Sequence, residues 1–288
     1  MTLPTTEGIS FLLRTKNCAA TIDAKLNAWA SALNSTGREW ELLLIDEASS
    51  DGTAEKLHAA AQRMKHVRVL ASPAVAGLGA SLRAALPETR FDIFGFADTA
   101  YAYEPTDIKK FLHELGRKEV IYDRDFEVVL VNGSRTGVAV PAFWKWFGRC
   151  YRFSARVFLG LPLEPIPGWL GLSEHLRSWW AWVVYGNPFH DPNCGFKLMK
   201  KSLIESFPIQ SDGDFAHLEV LVKTTFLTNI VADVKLAPVP TLIPHSKWNR
   251  TDRSKVFRDP QFRKAVVELD TSAPERPAHE ESVAGASG

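Results

Sequence analysis

Short apolar runs alternate with segments of helical periodicity through the first 135 residues. Each run is long enough to cross a sheet once, and each helical segment repeats its apolar residues every three or four positions. The predicted strands are Ile9–Leu13, Trp40–Ile45, Val67–Leu70, Ile93–Ala97 and Val128–Val131, and the predicted helices are Ala19–Leu33, Thr53–Met64, Leu78–Leu86 and Pro105–Leu115. This alternation predicts an α/β fold with a mostly parallel sheet and helices on both of its faces.

The pattern changes between residues 141 and 187, where six of the nine tryptophans lie. Lys145, Arg149, Arg152 and Arg156 recur at spacings of four, three and four, which places them on one helix face. Aromatic residues lie largely away from that face. The segment is therefore predicted to form a basic amphipathic helix at a membrane surface. The alternatives are a helix packed on the sheet with a solvated charged face, or a dimer interface rich in Trp and Arg.

Globular patterning returns at residue 188, with a predicted helix from Phe215 to about Leu227 and a closing strand over Ile230–Val239. The segment His245–Lys264 is locally basic, which is typical of a segment that binds anionic lipid headgroups or of a solvated helix. Residues 271–288 are rich in Ala, Ser, Pro, Glu and Gly and are predicted to be disordered. The predicted organisation is thus a first half over residues 1–140, an insert over 141–187, a second half over 188–270 and a tail over 271–288.

Composition narrows the class of protein. The 288 residues are 45% apolar and 23% charged, which is sufficient for a full core. A net charge of +1 excludes the global basicity of a protein held to nucleic acid by phosphate contacts. The three cysteines are widely spaced, which argues against a disulfide framework or a structural zinc site. Because the sequence shows no signal-peptide pattern and no spanning apolar run, we expect a cytoplasmic protein that lies on a membrane.

Ligands of parallel α/β sheets bind at the carboxyl ends of the strands, so the residues that follow each predicted strand are candidates. Asp46 and Glu47 open an acidic loop that suits ribose hydroxyls or a base edge, or that forms a helix-capping turn. Asp98 could bind a divalent cation that is also bound by a diphosphate, or it could form a turn. Arg135 follows Gly133 and Ser134 and suits bidentate contact with phosphate.

Taken in order, these loops resemble the motifs of family 2 glycosyltransferases, within the branch of dolichol-phosphate mannosyltransferases and polyprenyl-phosphate glucosyltransferases. The resemblance spans about residues 8–250. The segments that carry it are Asp46–Thr53 (VDDGSxDGT in the family), Gly77–Ala80 with Arg83 (GxGxAxRxG), Asn132–Arg135 (GSR), Asp191–Lys197 (DxxCGFK) and Ser246–Lys247 (SK). The resemblance implies a GT-A fold, with a nucleotide-sugar-binding half over 1–140 and an acceptor-side half over 188–270.

The resemblance also implies an activity, which is inverting transfer of a hexose from a nucleotide-diphosphate sugar to a polyprenyl phosphate. The implied partners are a sugar donor of the GDP-mannose or UDP-glucose class, a dolichyl or undecaprenyl phosphate, a membrane surface and a Mg²⁺ or Mn²⁺ ion at Asp98. The implied residues are Asn17, Asp46, Glu47, Gly77 and Asp98 for the nucleotide sugar, Asp98, Arg135 and Asp191 for catalysis, and Arg135, Arg149, Lys197 and Lys247 for the acceptor phosphate or lipid.

Two motifs depart from the family pattern. PxYNE is replaced by Arg14–Cys18, and the DxD-type motif has Ala100 in place of its second carboxylate. One carboxylate is a poor site for a hard divalent ion, which would keep mostly water and donor phosphate as ligands. Three alternatives follow. The protein uses a metal ion weakly, or it transfers the sugar without a metal ion and with the help of Lys16 and Arg14. In the third alternative it has lost catalysis and only binds nucleotide sugar or lipid. A further alternative is transfer to a soluble acceptor. His217, beside Glu219, is expected to lie at a helix start.

Overall fold

The structure is a computed structural model that describes residues 8–73, 77–99, 103–121, 124–135, 191–227, 230–237, 251–252 and 255–256. The amphipathic segment predicted over residues 141–187 and the tail predicted over 271–288 lie outside the described residues. The candidate residues Arg149 and Lys247 and the motif residues Ala100 and Ser246 also lie outside them.

Eight strands form the sheet in the described part of the chain, in the order β3-β2-β1-β4-β7-β6-β5, with β8 also paired to β6. They are β1 (Ile9–Thr15), β2 (Trp40–Asp46), β3 (Val67–Val69), β4 (Ile93–Asp98), β5 (Lys118–Ile121), β6 (Arg124–Ser134), β7 (Lys197–Lys200) and β8 (Ile230–Lys235). The pairs β1–β2, β1–β4, β2–β3 and β6–β8 are parallel. Strand β7 runs antiparallel to both β4 and β6, and β5 antiparallel to β6, so the sheet is mixed.

The helices are α1 (Ile22–Asn34), α2 (Thr53–Arg63), α3 (Leu78–Ala85), α4 (Ile108–Glu114), α5 (Lys201–Glu205) and α6 (Ala216–Phe226). Helix α1 begins three residues later than its apolar pattern predicts. The Cys18 carbonyl accepts hydrogen bonds from Thr21 and Ile22, and the Ala19 amide donates to Asp51 instead of continuing a helix. The sequence pattern did not predict β5, β7 or α5, which are only four, four and five residues long.

Apolar side chains alternate between the two faces of the sheet and form a core on each. One core includes Phe11 and Leu42 and packs against Trp29 of α1, whose ring lies 4.5 Å from that of Phe11. The other includes Leu12 and Phe96 and is covered by α3, α5 and α6. Strands buried on both faces explain the nearly continuous apolar runs in the sequence. None of the described helices is long and apolar enough to cross a membrane.

Strands β1, β2, β4 and β6 all end at the same edge of the sheet, which we call the carboxyl edge. Arg14 of β1 pairs in register with Asp98 of β4, and Thr15 pairs with Asp46 of β2. Because β7 is antiparallel to its neighbours, Lys197 at its first position also lies at this edge. The fold therefore collects side chains from both halves of the chain along one edge.

Candidate active site

Hydrogen bonds tie the loops after β1 and β2 to each other. The Asn17 amide donates to Ser49 Oγ at 2.9 Å, and Asn17 Oδ1 accepts from the Ser50 amide at 3.0 Å. The Cys18 amide donates to Thr53 Oγ1 at 2.9 Å. Asn17, predicted to contact the nucleotide sugar, thus uses its side-chain oxygen to hold one loop against the other.

Asp46 forms a turn of its own at the end of β2. Its carboxylate accepts from the Ser49 amide at 3.0 Å and from the Ser49 hydroxyl, and its carbonyl accepts from Ser72 Oγ at 2.5 Å. Ala48, at the position of the motif glycine, has a φ of +52°. That left-handed conformation costs a residue with a Cβ about 1–2 kcal/mol. Ala48 therefore adopts a conformation that glycine, the residue of the motif at this position, would adopt without that cost.

Arg14 gathers three carboxylates around its guanidinium group. Its Nε donates to Glu47 Oε1 at 2.8 Å, its terminal nitrogens lie 3.5 Å from Asp214 Oδ1, and one of them lies 3.8 Å from Asp98 Oδ2. The Arg14 side chain is 6% exposed, whereas those of Asp98 and Asp214 are 20% and 30% exposed. Burial lowers the pKa of Arg14, but the charges of Asp98, Glu47 and Asp214 outweigh it and raise that pKa. The guanidinium therefore stays charged between partly open carboxylates.

The turn that follows Asp98 is held from three sides. The Thr99 amide donates to the Arg14 carbonyl at 3.0 Å, and the Thr99 carbonyl accepts from Lys25 Nζ at 2.5 Å. Cys18 Sγ lies 3.8 Å from Thr99 Oγ1. Among the described residues, no group of three His, Cys, Asp or Glu side chains is placed to hold a metal ion. Asp98 thus has a fixed backbone but not the several carboxylates of a protein-dominated metal site.

His217 is buried in the first turn of α6, and its ring lies 5.9 Å from that of Phe96. Phe96 precedes Asp98 by two residues in β4, so these two side chains lie on the same face of that strand. Burial, together with the charges of Lys197, Arg14 and Arg135, holds the pKa of His217 well below its usual value. Its imidazole is therefore neutral. Its Nδ1 is buried and has no hydrogen-bond partner within the described residues. A neutral imidazole nitrogen is a common metal ligand, so His217 is a second candidate beside Asp98.

Arg135 and Asp191, both predicted to be catalytic, bind each other. Arg135 Nε lies 2.5 Å from Asp191 Oδ2, a terminal nitrogen lies 2.7 Å from Oδ1, and the Arg135 amide also donates to Asp191. Both residues are buried. Burial lowers the pKa of Arg135, but the charge and hydrogen bonds of Asp191 raise it well above its usual value. This bidentate pair joins the end of β6 to the loop before β7.

Lys197, predicted to contact the acceptor phosphate, is fully buried beneath that same loop. Its ammonium donates to Asn132 Oδ1 at 2.5 Å, to the Cys194 carbonyl at 2.8 Å and to the Pro192 carbonyl at 3.2 Å. Burial lowers the pKa of Lys197 to about 8. With three protein acceptors around it, the ammonium shapes the loop and does not reach the surface, so any effect on an acceptor phosphate passes through the loop.

The glycine-rich start of α3 packs against the loop Ser211–Asp214. A Cβ on Gly77 would lie 2.5 Å from the Asp212 carbonyl oxygen, and one on Gly79 would overlap that of Ser211. The Ala80 amide donates to the Asp212 carbonyl at 3.0 Å. Gly77, predicted to contact the donor, is thus required for a close approach within the protein. The sequence did not single out Asp214, although the acidic turn Asp212–Asp214 before a helix was a visible signal.

Comparison with known proteins agrees with this architecture. The family model for glycosyl transferase family 2 matches residues 10–162, which is more than half of the chain. The dolichol-phosphate mannosyltransferase of Saccharomyces cerevisiae is 23% identical over 188 residues, which are 64% of this chain and 64% of that protein. The chain therefore spans less than two thirds of the length of this relative.

Solved structures of glucosyl-3-phosphoglycerate synthase from Mycobacterium tuberculosis are similar in fold. Its complex with Mn²⁺, UDP and glucosyl-3-phosphoglycerate has a TM-score of 0.54 at 19% identity, covering 93% of this chain and 82% of that one. Another structure of that synthase has a TM-score of 0.55 at 19% identity, covering 83% of this chain and 74% of that one. This likeness confirms the predicted GT-A fold.

The region matched by the family model contains Arg14, Asp46, Asp98 and Arg135, which all lie at or next to the carboxyl edge. The relative from yeast agrees with the branch that the motifs indicated. The recognition made from five short motifs is therefore confirmed, and the chain belongs to glycosyl transferase family 2.

Proposed function

We propose that the protein transfers a hexose from a nucleotide-diphosphate sugar to a polyprenyl phosphate. The observation that carries the proposal is the convergence of Asp46, Asp98 and Arg14, from three neighbouring parallel strands, at the carboxyl edge where such sheets bind ligands. The similarity to dolichol-phosphate mannosyltransferase supports a lipid phosphate as the acceptor.

The donor would lie along the cross-linked loops after β1 and β2. The carboxylate of Asp46 accepts hydrogen bonds, as ribose hydroxyls or a base edge require, and Asn17 and Ser49 keep its loop in place. Asp98 would face the diphosphate. UDP-glucose and GDP-mannose are the donors to test first, because the solved synthase binds UDP and the yeast relative is named a mannosyltransferase.

A divalent cation would fit this site if the phosphate oxygens of the donor supplied most of its ligands. Asp98 and His217 would be its protein ligands, and the solved synthase supports the ion because it was crystallised with Mn²⁺. Bound Mg²⁺ or Mn²⁺ would neutralise negative charge on the departing diphosphate. Arg14 would hold the Asp98 carboxylate at the edge, and the fixed turn at Thr99 would prevent that carboxylate from moving away.

The acceptor phosphate is already an anion at neutral pH, so its oxygen can attack the anomeric carbon without a general base. One bond forms from that oxygen to the carbon, the bond from the carbon to the diphosphate oxygen breaks, and the nucleoside diphosphate leaves with the electron pair. The outcome is inversion at the anomeric carbon. Arg149 and Lys247 are proposed as contacts for the lipid phosphate from their sequence positions alone, and the buried Arg135–Asp191 pair and Lys197 would shape the acceptor side.

A second candidate function is transfer to a hydroxyl of a soluble acceptor. Asp214, a carboxylate that is 30% exposed beside Arg14, favours it, because a hydroxyl nucleophile requires a base and a phosphate does not. The solved synthase, which was crystallised with phosphoglyceric acid, supports the same alternative. A third candidate is a protein that binds nucleotide sugar or lipid without catalysis, which Ala100 favours.

The deciding experiment supplies the purified full chain with UDP-glucose or GDP-mannose, with and without Mn²⁺, and with undecaprenyl phosphate or 3-phosphoglycerate. We expect transfer to the lipid phosphate, and a loss of about 100-fold or more in kcat/KM in Asp98→Ala. Asp92→Ala, at an exposed residue just before the start of β4, is the matched control and should keep full activity. Transfer to phosphoglycerate alone would replace the lipid acceptor, and donor binding without turnover would favour the non-catalytic candidate.

A location at the cytoplasmic face of a membrane belongs to the same proposal. It is supported by the Trp-rich, Arg-rich pattern of residues 141–187. Flotation with vesicles of anionic and of zwitterionic lipid measures it directly. We expect the protein to float with anionic vesicles, whereas a protein that stays at the bottom of both gradients would favour the soluble acceptor and a dimer interface.

A further inference from the structure

The loop Ser211–Asp214 is held by helices on both of its sides. The buried carboxylate of Glu219 accepts from the Ser211 amide at 2.9 Å and from the Gln210 amide at 2.8 Å. From α3, Arg83 donates to the Ser211 carbonyl at 2.7 Å. The loop therefore has little freedom on the sides that face α3 and α6.

The third support of the loop comes from the C-terminal part of the chain. Asp252 is buried, and its Oδ2 accepts from the Gly213 amide at 3.0 Å. Lys255 Nζ donates to Asp212 Oδ2 at 3.0 Å, and the neighbouring Val256 is fully buried. Gly213 permits this approach, since a Cβ there would lie 2.9 Å from Asp252 Oδ2. We call Asp252, Lys255 and the two loop residues that they bind the clasp.

A buried carboxylate that accepts one hydrogen bond from the described backbone is a costly way to hold this part of the chain against the protein. An apolar side chain beside Val256 would anchor it at lower cost, because a carboxylate loses its hydration when buried. The geometry is therefore better explained by what the clasp does to the loop than by anchoring alone.

The loop leads directly from the clasp to the candidate active site. Asp214 follows Gly213, and its carboxylate lies 3.5 Å from Arg14, which lies 3.8 Å from Asp98. Three contacts thus connect Asp252 to the carboxylate that would face the donor. If the loop moved outward, Asp214 would leave Arg14, and the guanidinium would draw the Asp98 carboxylate inward.

We propose that Asp252 and Lys255 are positioning residues for the donor site. By holding Ser211–Asp214, they keep Asp214 against Arg14 and thereby fix the position of Arg14 beside Asp98, the carboxylate that would face the donor diphosphate. The inference rests on the proposed function, because it assigns the donor to the carboxyl edge. It also predicts that residues near the C-terminal end of the described chain affect donor affinity more than acceptor affinity.

A matched control exists at the opposite edge of the sheet. Glu41 is buried like Asp252 and accepts from the Arg90 amide at 2.8 Å and from Ser10 Oγ at 2.6 Å. Removal of either carboxylate orphans a backbone amide, which costs about 1–3 kcal/mol. Glu41→Ala also removes the ion pair of Glu41 with Arg68, at 2.9 Å, so it should lose at least as much stability as Asp252→Ala. Loss of stability alone therefore does not explain a higher donor Kd in Asp252→Ala if Glu41→Ala keeps the donor Kd of the wild type.

The test compares the full chain with Asp252→Ala, Asp252→Asn and Glu41→Ala. The readouts are calorimetric Kd values for UDP-glucose and GDP-mannose, acceptor KM, and hydrogen exchange of peptides that cover residues 209–214. In Asp252→Ala we expect faster loop exchange and a rise in donor Kd of about 10-fold or more, as misplacement of a binding group produces. Acceptor KM should not change. Asp252→Asn, which keeps a carbonyl oxygen for Gly213, should restore donor affinity, and Glu41→Ala should leave it unchanged.

An unchanged donor Kd in Asp252→Ala would overturn the proposal, as would an equal rise in Glu41→Ala. Lys255→Met, at a half-exposed side chain, replaces Asp252→Ala if that variant does not fold, and it should raise donor Kd in the same direction. Donor binding by the wild type without transfer would contradict the proposed function, while the Kd comparison would still decide the clasp. Absence of donor binding in the wild type would overturn both.

Discussion

At the scale of single residues, most charged groups at the carboxyl edge are bound to other protein groups. Arg135 and Asp191 neutralise each other, and Lys197 is surrounded by three oxygens. A buried charge without a partner costs several kcal/mol, so the fold provides one wherever a motif residue becomes buried. Asp98 and Asp214 are also paired with Arg14, but their side chains remain 20% and 30% exposed. These two carboxylates are therefore the better candidates for direct contact with substrates.

Ala48 provides a prediction about stability. Its φ of +52° and its exposed side chain mean that glycine would remove a backbone penalty without losing packing. Glycine loses more conformational entropy on folding than alanine does, which offsets part of this gain. We therefore expect Ala48→Gly to raise the free energy of unfolding by about 0.5–1 kcal/mol. Urea denaturation measures it. Ala59→Gly, at an exposed site within α2, should instead lower stability by about 1 kcal/mol, and equal effects of both would refute the explanation.

Lys197 provides a prediction about pH. Burial lowers the pKa of Lys197 from 10.5 to about 8, so between these values the unfolded chain binds a proton that the folded protein has lost. Stability contributed by this residue therefore rises with pH across that window. Relative to Lys197→Met, the wild type should gain stability from pH 8 to pH 10, in total on the order of 3 kcal/mol. Denaturation at several pH values tests this, and a stability difference between the wild type and Lys197→Met that stays constant from pH 8 to pH 10 would refute it.

At the scale of elements, the contact between α3 and the loop Ser211–Asp214 is the main difference from the sequence prediction. The glycine-rich helix start was expected to face the donor, but Gly77 and Gly79 lie against backbone carbonyls of the loop. Glycine at a helix start permits close approach of any backbone or ligand, and only the position of the remote loop shows which one is present.

Gly79→Ala tests this contact. The added Cβ would overlap the Ser211 carbonyl oxygen, so we expect the loop to move and the free energy of unfolding to fall by about 1–3 kcal/mol. Hydrogen exchange over residues 209–214 should become faster. Gly37→Ala is the control, because its φ of +70° makes it costly while nothing lies within 4 Å of the new atom. That variant should lower stability without changing exchange in the loop.

At the scale of the whole molecule, the two halves predicted over residues 1–140 and 188–270 share one sheet and one pair of cores. Strand β7 of the second half lies between β4 and β6 of the first. The core around Phe96 contains Leu12 from the first half together with Met199 and Val220 from the second. Neither half can bury its apolar surface without the other.

The shared core predicts that the halves do not unfold separately. We expect the calorimetric and van't Hoff enthalpies of unfolding to agree, as for a single cooperative unit. A fragment of residues 1–140 should lack the cooperative urea transition, because β4 and β6 would lose the strand between them. Two resolved transitions, or a fragment that unfolds cooperatively, would show that the halves are independent.

Local pattern was sufficient for the fold class and for part of the site. Strands β1 to β4 and helices α1 to α4 follow from apolar periodicity, which depends only on neighbouring residues. Once the strands are predicted, the residues that follow them can be named as candidate ligand residues. Asp46 and Asp98, named in this way, do lie at the carboxyl edge. Strand β5 was missed because it is short and mixes charged with apolar residues.

The sequence by itself determined the α/β class, the family and the edge of the sheet where the candidate site lies, because periodicity and short motifs are local properties. Only the tertiary structure decided which charges neutralise each other. Arg14 and Asp214 are 200 positions apart, and Arg135 and Asp191 are 56 positions apart. A side chain's partners and burial depend on which distant segments pack beside it, so the division between structural charges and open carboxylates arises only when the chain folds.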